Sequence, residues 1–258
     1  MTNSTLNRMY DDFADLWPLI SRPEAYEKEA GYWRDALREK LGPGRHEILE
    51  LGVGGGHNLS HLTKEFAATG TDISEKMLAQ CSKLNPDVPL HVGDMRTLRL
   101  GQKFKAVLIH DAIGYMATES DLTQTFATAA EHLESGGVLV IAPDHYRETF
   151  HSPRVEHSTI SNDETELTLI EYQYDPDPND TMTETRMFYL IRTKDELRVE
   201  QDHHVFGLFP LQTWLDLMRQ AGFSVEKHPY PVHGDGREAY LLVGQWKGPH
   251  NKAVEATS

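Results

Sequence analysis

One short stretch constrains the fold of this chain more than any other: Glu50-Leu-Gly52-Val-Gly54-Gly55-Gly56, which directly follows an apolar run and opens a helix-like segment. Glycine allows positive φ and removes the Cβ that would keep a ligand or another backbone away. A helix starting after such a turn presents unpaired N–H groups. Taken alone, this turn marks any strand-to-helix junction of an α/β protein, so its surroundings must narrow the choice. Short apolar runs at 48–51, 69–73, 90–92, 106–110 and 138–142 alternate with helical patterns at 57–66, 74–84 and 121–133, which predicts βαβ units and a parallel sheet. Ser74 stands as a helix N-cap, and Gly136-Gly137 marks the turn into the fifth strand.

After Phe150 the pattern changes. Alternating β-branched or aromatic and polar residues at 166–174, 182–191 and 197–206, separated by DPDPND and RTKDE turns, predict an antiparallel meander. A helix over 210–221 and two strands at 223–228 and 238–246 then finish the core sheet. Before the first strand, Tyr10, Phe13, Trp17, Tyr26, Tyr32 and Trp33 have helix-like spacing, which predicts one or two amphipathic helices. The expected division is a helical cap over 1–41, a cofactor-binding core over 42–150, an antiparallel β insertion on the substrate side over 151–206, completion of the core over 207–247, and a flexible tail over 248–258.

Charge and cysteine content exclude some functions. With 40 acidic against 25 basic side chains the net charge is −15, which repels a polyanion, so no nucleic-acid partner is expected. The lone cysteine, Cys81, has no partner for an intramolecular disulfide, and the first residues lack the basic start and apolar run of a signal peptide. No apolar run approaches the roughly 18–20 residues that span a bilayer. A cytoplasmic enzyme with a small-molecule substrate and no membrane partner is expected, with homodimerisation as the assembly to consider.

The spacing of glycines and acids separates cofactors. A dinucleotide fingerprint G-x-G-x-x-G counted from Gly52 needs glycine at His57, whereas the chain has G-x-G-x-G with an acid two residues upstream. Asp72 ends the second strand, where a carboxylate can accept from both ribose hydroxyls of an adenosine, and Asp94 ends the third, within reach of an exocyclic adenine amine. In an open parallel sheet the C-terminal strand ends line one crevice, so Glu50, Asp72 and Asp94 converge there. An acidic lining suits a sulfonium cofactor bearing an ammonium better than a pyrophosphate.

This set of motifs resembles the class I S-adenosylmethionine-dependent methyltransferases, with E/D-x-G-x-G-x-G, a second-strand acid and Gly93-Asp94-Met95 in order over about 45–145. Beyond that core, Met9-Tyr10, His91-Val-Gly-Asp94-Met95-Arg96, Ala112-Ile-Gly-Tyr115, Glu148-Thr-Phe150 and His204-Val-Phe-Gly-Leu-Phe209 resemble the N,N-dimethyltransferases of nucleotide-linked amino sugars such as desosamine. The resemblance implies a Rossmann-like α/β fold, a seven-stranded methyltransferase sheet with an antiparallel β insertion after strand 5. It implies S-adenosylmethionine as cofactor, with Tyr10 and Tyr26 closing over the methionine part and Gly52 and Gly54 against its backbone. Asp72, Ile73 and Met77 would hold the ribose and adenine, Asp94 and Met95 would complete the adenine pocket, and His110 would lie where cofactor sulfur and substrate meet.

Two departures bear on the acceptor. Pro143-Asp144-His145-Tyr146-Arg147 stands where the amino-sugar enzymes carry two tryptophans and an aromatic, and Asp111 replaces a small hydroxyl residue. Both changes favour a polar or cationic acceptor. The expected reaction is an SN2 methyl transfer, for which alignment and water exclusion count most. Asp111, Tyr115, Asp144, His145 and Tyr146 are the candidates for orienting an amine or relaying its proton, with Tyr10, His110 and His145 foremost. His203 and His204 are adjacent on a strand, so at most one reaches the cleft. Small-molecule O-methylation, a nicotinamide-dependent oxidoreductase and a non-catalytic cofactor-binding module are the competing readings. His145, His151 and His157 match no metal-ligand spacing, and no metal is expected.

Overall fold

Alternation along the central strands decides how the sheet is covered. In the computed structural model, which describes residues 7–232 and 236–248, the strands are β1 (Glu47–Leu51), β2 (Ala67–Asp72), β3 (Leu90–Val92), β4 (Phe104–Ile109), β5 (Leu133–Ile141), β6 (Arg154–Ser161), β7 (Glu166–Tyr174), β8 (Met182–Arg192), β9 (Leu197–Gly207), β10 (Phe223–Pro229) and β11 (Tyr240–Trp246). Leu49, Leu51, Val107, Ile109, Leu139 and Ile141 face one apolar layer. The intervening Ile48, Ala106, Leu108, Val138 and Val140 face the other. A strand buried on both faces needs this near-continuous apolar run, and helices must cover each side.

The helices are α1 (Trp17–Ile20), α2 (Glu27–Leu41), α3 (His57–Ser60), α4 (Glu75–Leu84), α5 (Glu119–Glu131) and α6 (Leu211–Gln220). Ala30, Trp33, Ala36 and Leu37 of α2 pack on the layer with Ile48 and Leu108. Leu122, Phe126 and Ala129 of α5, with Trp214 and Met218 of α6, pack on the opposite one. Seven strands lie in the order β10-β11-β5-β4-β1-β2-β3. The pairs from β3 to β5 are parallel, and β11 runs antiparallel to both β5 and β10. This is the seven-stranded α/β sheet that the resemblance implies, and the antiparallel sheet β6-β7-β8-β9 is inserted after its fifth strand.

Local differences from the sequence expectation have physical causes. The helix expected over 57–66 stops at Ser60 and continues as turns. Ser60 and Thr63 donate their hydroxyls to the carbonyls of His57 and Ser60, and Leu62 N bonds Leu59 O at 2.8 Å, tightening the chain to i→i+3 spacing. Strand β6 escaped the pattern because it is an exposed edge whose side chains show no inside–outside alternation. The segment before β1 does not act as one layer: Met9, Phe13 and Leu19 pack on Leu167, Leu169, Met187, Tyr189 and Ile191 of the second sheet, whereas α2 belongs to the core. Residues 249–258 of the expected tail and 1–6 of the expected cap lie outside the described residues.

Candidate functional site

At the C-terminal ends of β1, β2 and β4 the chain encloses a cavity of about 350 Å³. Gly52, with φ of +72°, turns beneath it, and a Cβ at that position would fall 2.4 Å from Ala112 Cβ and 2.9 Å from Met95 Cε. Asp72 secures the turn: Oδ2 accepts from Gly54 N at 2.8 Å and Oδ1 from Ser74 N at 2.8 Å. Ser74 Oγ in turn accepts from Met77 N at 3.1 Å, capping α4.

The structure brings together around this cavity all the residues the sequence marks for the cofactor: Tyr10, Tyr26, Glu50, Gly52, Gly54, Asp72, Ile73, Met77, Asp94, Met95 and His110. Two of the acids have further engagements. Besides holding the turn, Asp72 has its acidity weakened by burial against backbone N–H bonds that act the other way. Asp94 is clasped by Arg96, whose Nη2 lies 2.6 Å from Oδ2, and this partner holds the carboxyl below its usual range. Glu50 is only 2% exposed, and burial pushes its carboxyl up to about 8. Its Oε2 has no partner among the described residues.

Asn58 is a site residue that sequence reasoning missed. It is 4% exposed, lines the cavity, and neither amide oxygen nor amide nitrogen finds a partner among the described residues. Buried amides seldom stay unpaired, so this one is suited to a ligand's polar groups. A position in the first turn after Gly56 was the available signal. Trp17 and His57 stack at 5.8 Å beside it, and Ser21 Oγ lies 3.1 Å from His57 Nδ1.

His110 directly follows β4 and is buried between carboxylates. Its Nε2 lies 3.1 Å from Glu29 Oε2 and its Nδ1 lies 2.9 Å from Asp111 Oδ1. Burial opposes protonation, but Asp111 and Glu29 outweigh it and hold the imidazole well above its ordinary value. Glu29 was also missed, because 81 residues separate it from His110.

A second cavity of about 490 Å³ shares Tyr26 and Asp111 with the first and is walled by the inserted sheet. Half-buried Asp144 and His145 line it, together with Glu29, Arg154, Glu171 and Arg237. Burial first, then the charge of Asp111, raises the Asp144 carboxyl strongly. Tyr10 and Tyr115 stand on the first cavity with hydroxyls 2.9 Å apart. The fifth-strand segment is divided in direction. Tyr146 is 2% exposed and packs in the core, and Arg147 donates to the carbonyls of Pro178, Asp180 and Leu208. Tyr146 thus belongs to the core and Arg147 fastens the insertion to it, and neither lines the cavities. His204 points inward and His203 outward to Glu184, as adjacent strand residues must. Among the described residues, the cluster with metal-ligand spacing is Glu39, Glu226 and His228, where Lys40 already bonds both carboxylates.

Comparison with known proteins agrees with this geometry. A family described as a methyltransferase domain matches residues 48–137. The chain is 34% identical over 223 residues to dTDP-3-amino-3,4,6-trideoxy-alpha-D-glucopyranose N,N-dimethyltransferase of Streptomyces venezuelae, covering 84% of this chain and 93% of that protein. It is 29% identical to the dTDP-3-amino-3,6-dideoxy-alpha-D-glucopyranose N,N-dimethyltransferase of Streptomyces fradiae, covering 87% and 89%. The crystal structure of Streptomyces venezuelae DesVI superposes with a TM-score of 0.78 at 31% identity, over 90% of this chain and 96% of that one. The sugar N-methyltransferase KedS8 of a Streptoalloteichus species gives 0.80 at 26% identity, over 96% of each. The glycine turn, the three strand-end acids and the unpaired buried acceptors of Glu50 and Asn58 fit S-adenosylmethionine. The chain is an enzyme that belongs to the S-adenosylmethionine-dependent methyltransferases, in the family that includes these sugar N,N-dimethyltransferases.

Proposed function

We propose that the enzyme methylates the amino group of a small amino sugar, carried on a nucleotide as in the names of its relatives. The observation that carries this reading is the junction of the two cavities, where Asp111 and Asp144 stand beside Tyr26. Carboxylates there suit an ammonium group and disfavour a carboxylic-acid acceptor. Arg154 and Arg237 on the second cavity suit the phosphates of a nucleotide.

In this reading Gly52, Gly54, Glu50 and Asn58 hold the methionine part of the cofactor, with Tyr10 and Tyr26 over it. Asp72, Ile73 and Met77 take the ribose and adenine, and Asp94 and Met95 close the adenine end. Bound there, S-adenosylmethionine supplies a methyl carbon already activated by the sulfonium charge, so the displacement by the acceptor's lone pair is an SN2 step. The protein's own contribution is to orient the acceptor, exclude water and receive its proton. His110, locked between Glu29 and Asp111, positions Asp111 toward the acceptor, and Asp144, His145 and Tyr115 line its path. The segments 42–150 and 207–247 act as the cofactor-binding core, residues 151–206 as the substrate wall, and the chain before 42 as the closing cap. Among the described residues no helix is long and apolar enough to cross a membrane.

A screen of dTDP-amino sugars, simple amines, phenols and carboxylic acids tests the reading. Methylation of an amine, weakened in Asp144→Asn, supports it. Methylation of phenols or acids with every amine untouched contradicts it.

A further inference from the structure

We infer that Asp202 and His204, on β9 of the inserted sheet, are positioning residues that hold Tyr115 and Tyr10 in a single hydrogen-bonded chain along which the acceptor's proton leaves the cofactor cavity. The chain is continuous. Asp202 Oδ2 lies 2.8 Å from His204 Nε2, His204 Nδ1 lies 2.7 Å from the Tyr115 hydroxyl, and that hydroxyl lies 2.9 Å from the hydroxyl of Tyr10. Tyr10 and Tyr115 both line the cofactor cavity, whereas His204 is 1% exposed and lies behind them.

The direction of each bond follows from the donors available. An ionised carboxylate only accepts, and Asp202 is held at about 2, because bonds from His204 and from the Met9 and His203 backbones outweigh its burial. His204 must therefore donate from Nε2, which leaves Nδ1 of the neutral ring as an acceptor. Tyr115 spends its only proton on that nitrogen. The contact with Tyr10 then requires Tyr10 to donate, so the free lone pairs of the chain belong to the Tyr10 oxygen at the cavity. Asp202 also fixes the N-terminal side of the chain, accepting from Met9 N at 2.9 Å, one residue before Tyr10.

An amine acceptor must shed a proton before its lone pair can attack, and a second methylation requires this again; the inference rests on the amine-acceptor reading for that step. The N–H bond of the bound ammonium breaks as its proton passes to the Tyr10 oxygen. Tyr10 passes its own proton to Tyr115, and Tyr115 passes its own to His204 Nδ1. The products are a neutral amine and an imidazolium beside the Asp202 carboxylate, with no change of oxidation state. The groups facing His204 support a transient positive charge: Asp202 on its own strand and Glu171 on β7, with the neutral phenols of Tyr115 and Tyr10 and the ring of Phe206 around it. Burial, first among the causes, keeps both Tyr10 and Tyr115 protonated far above neutral pH, so they conduct a proton without becoming phenolates.

The test combines nitrogen-15 NMR of histidine-labelled protein with kinetics on whichever amine the wild type methylates, starting with dTDP-3-amino-3,4,6-trideoxyglucose. The expected spectrum shows neutral His204 as the Nε2–H tautomer, converting toward Nδ1–H in Asp202→Asn. Tyr115→Phe and His204→Gln should lower kcat about 10- to 100-fold near neutral pH while leaving KM and cofactor affinity within about twofold, and the deficit should shrink at high pH, where solvent already deprotonates the acceptor. An Nδ1–H tautomer in the wild type overturns the chain whatever the activity. Unchanged kcat and an unchanged pH profile in both variants overturn the proton path. If the wild type methylates no amine at all, the acceptor reading and the proton step both fall, while the tautomer still decides whether the chain exists.

Discussion

His110 and Glu29 meet at 3.1 Å across the seam between the end of β4 and helix α2, joining the cofactor crevice to the helix that covers one face of the sheet. Burial opposes charge on His110, but Asp111 and Glu29 prevail, so its proton affinity lies well above the ordinary value. A histidine raised in this way contributes stability below its unfolded pKa and loses that contribution as pH rises through the folded one. Glu29→Gln should therefore cost about 1–3 kcal/mol near pH 6 and progressively less toward high pH. Urea denaturation across that range checks it; a deficit that grows with pH would contradict the pairing.

Glu50 gives the same sign from a different cause, burial rather than pairing. Burial raises its carboxyl to about 8, from an ordinary value of 4.5. Between these limits the folded chain binds the proton that the unfolded chain has lost, so the ligand-free enzyme should lose stability as pH climbs from about 4.5 to 8, and Glu50→Gln should flatten that slope. A cationic cofactor beside Glu50 would drive the carboxyl to ionise. Calorimetry of S-adenosylmethionine binding near pH 7 in buffers of differing ionisation enthalpy should reveal proton release in the wild type and little in Glu50→Gln. Equal proton release in both proteins would show that the cofactor's charge lies elsewhere.

Gly52 combines positive φ with a Cβ position already occupied by Ala112. Gly52→Ala should cost about 1–3 kcal/mol of stability and weaken S-adenosylmethionine binding at least tenfold, because the turn must shift at the point where the cofactor approaches. A thermal melt and a binding isotherm measure the two effects separately. Full affinity in a stable Gly52→Ala protein would mean the turn does not contact the cofactor.

What the sequence made legible was whatever depends on local pattern. Glu50 through Gly56 joins a strand period to a helix start, and Asp72 and Asp94 fall at strand ends, so their convergence follows from parallel-sheet geometry alone. Strand β7 runs over the residues that alternation predicts, 166–174. Strand β6 was invisible because an edge exposed on both faces has no reason to alternate. Glu29, Asn58, Asp202 and the link of His204 to Tyr115 were invisible for a different reason: they arise from contacts between segments far apart in sequence, such as Tyr115 and His204, which lie 89 residues apart. Tyr146 and Arg147 looked like substrate-wall residues from position and polarity, but side-chain direction sends one into the core and the other to backbone carbonyls.

The central claim, methyl transfer to the nitrogen of an amino sugar, is tested most directly by carbon-13 NMR of the product formed from methyl-labelled S-adenosylmethionine and dTDP-3-amino-3,4,6-trideoxyglucose. The account predicts a labelled methyl resonance at the N-methyl position, growing into an N,N-dimethyl signal. Label appearing only as an O-methyl group, or no transfer from a protein shown in the same tube to bind S-adenosylmethionine, would contradict it.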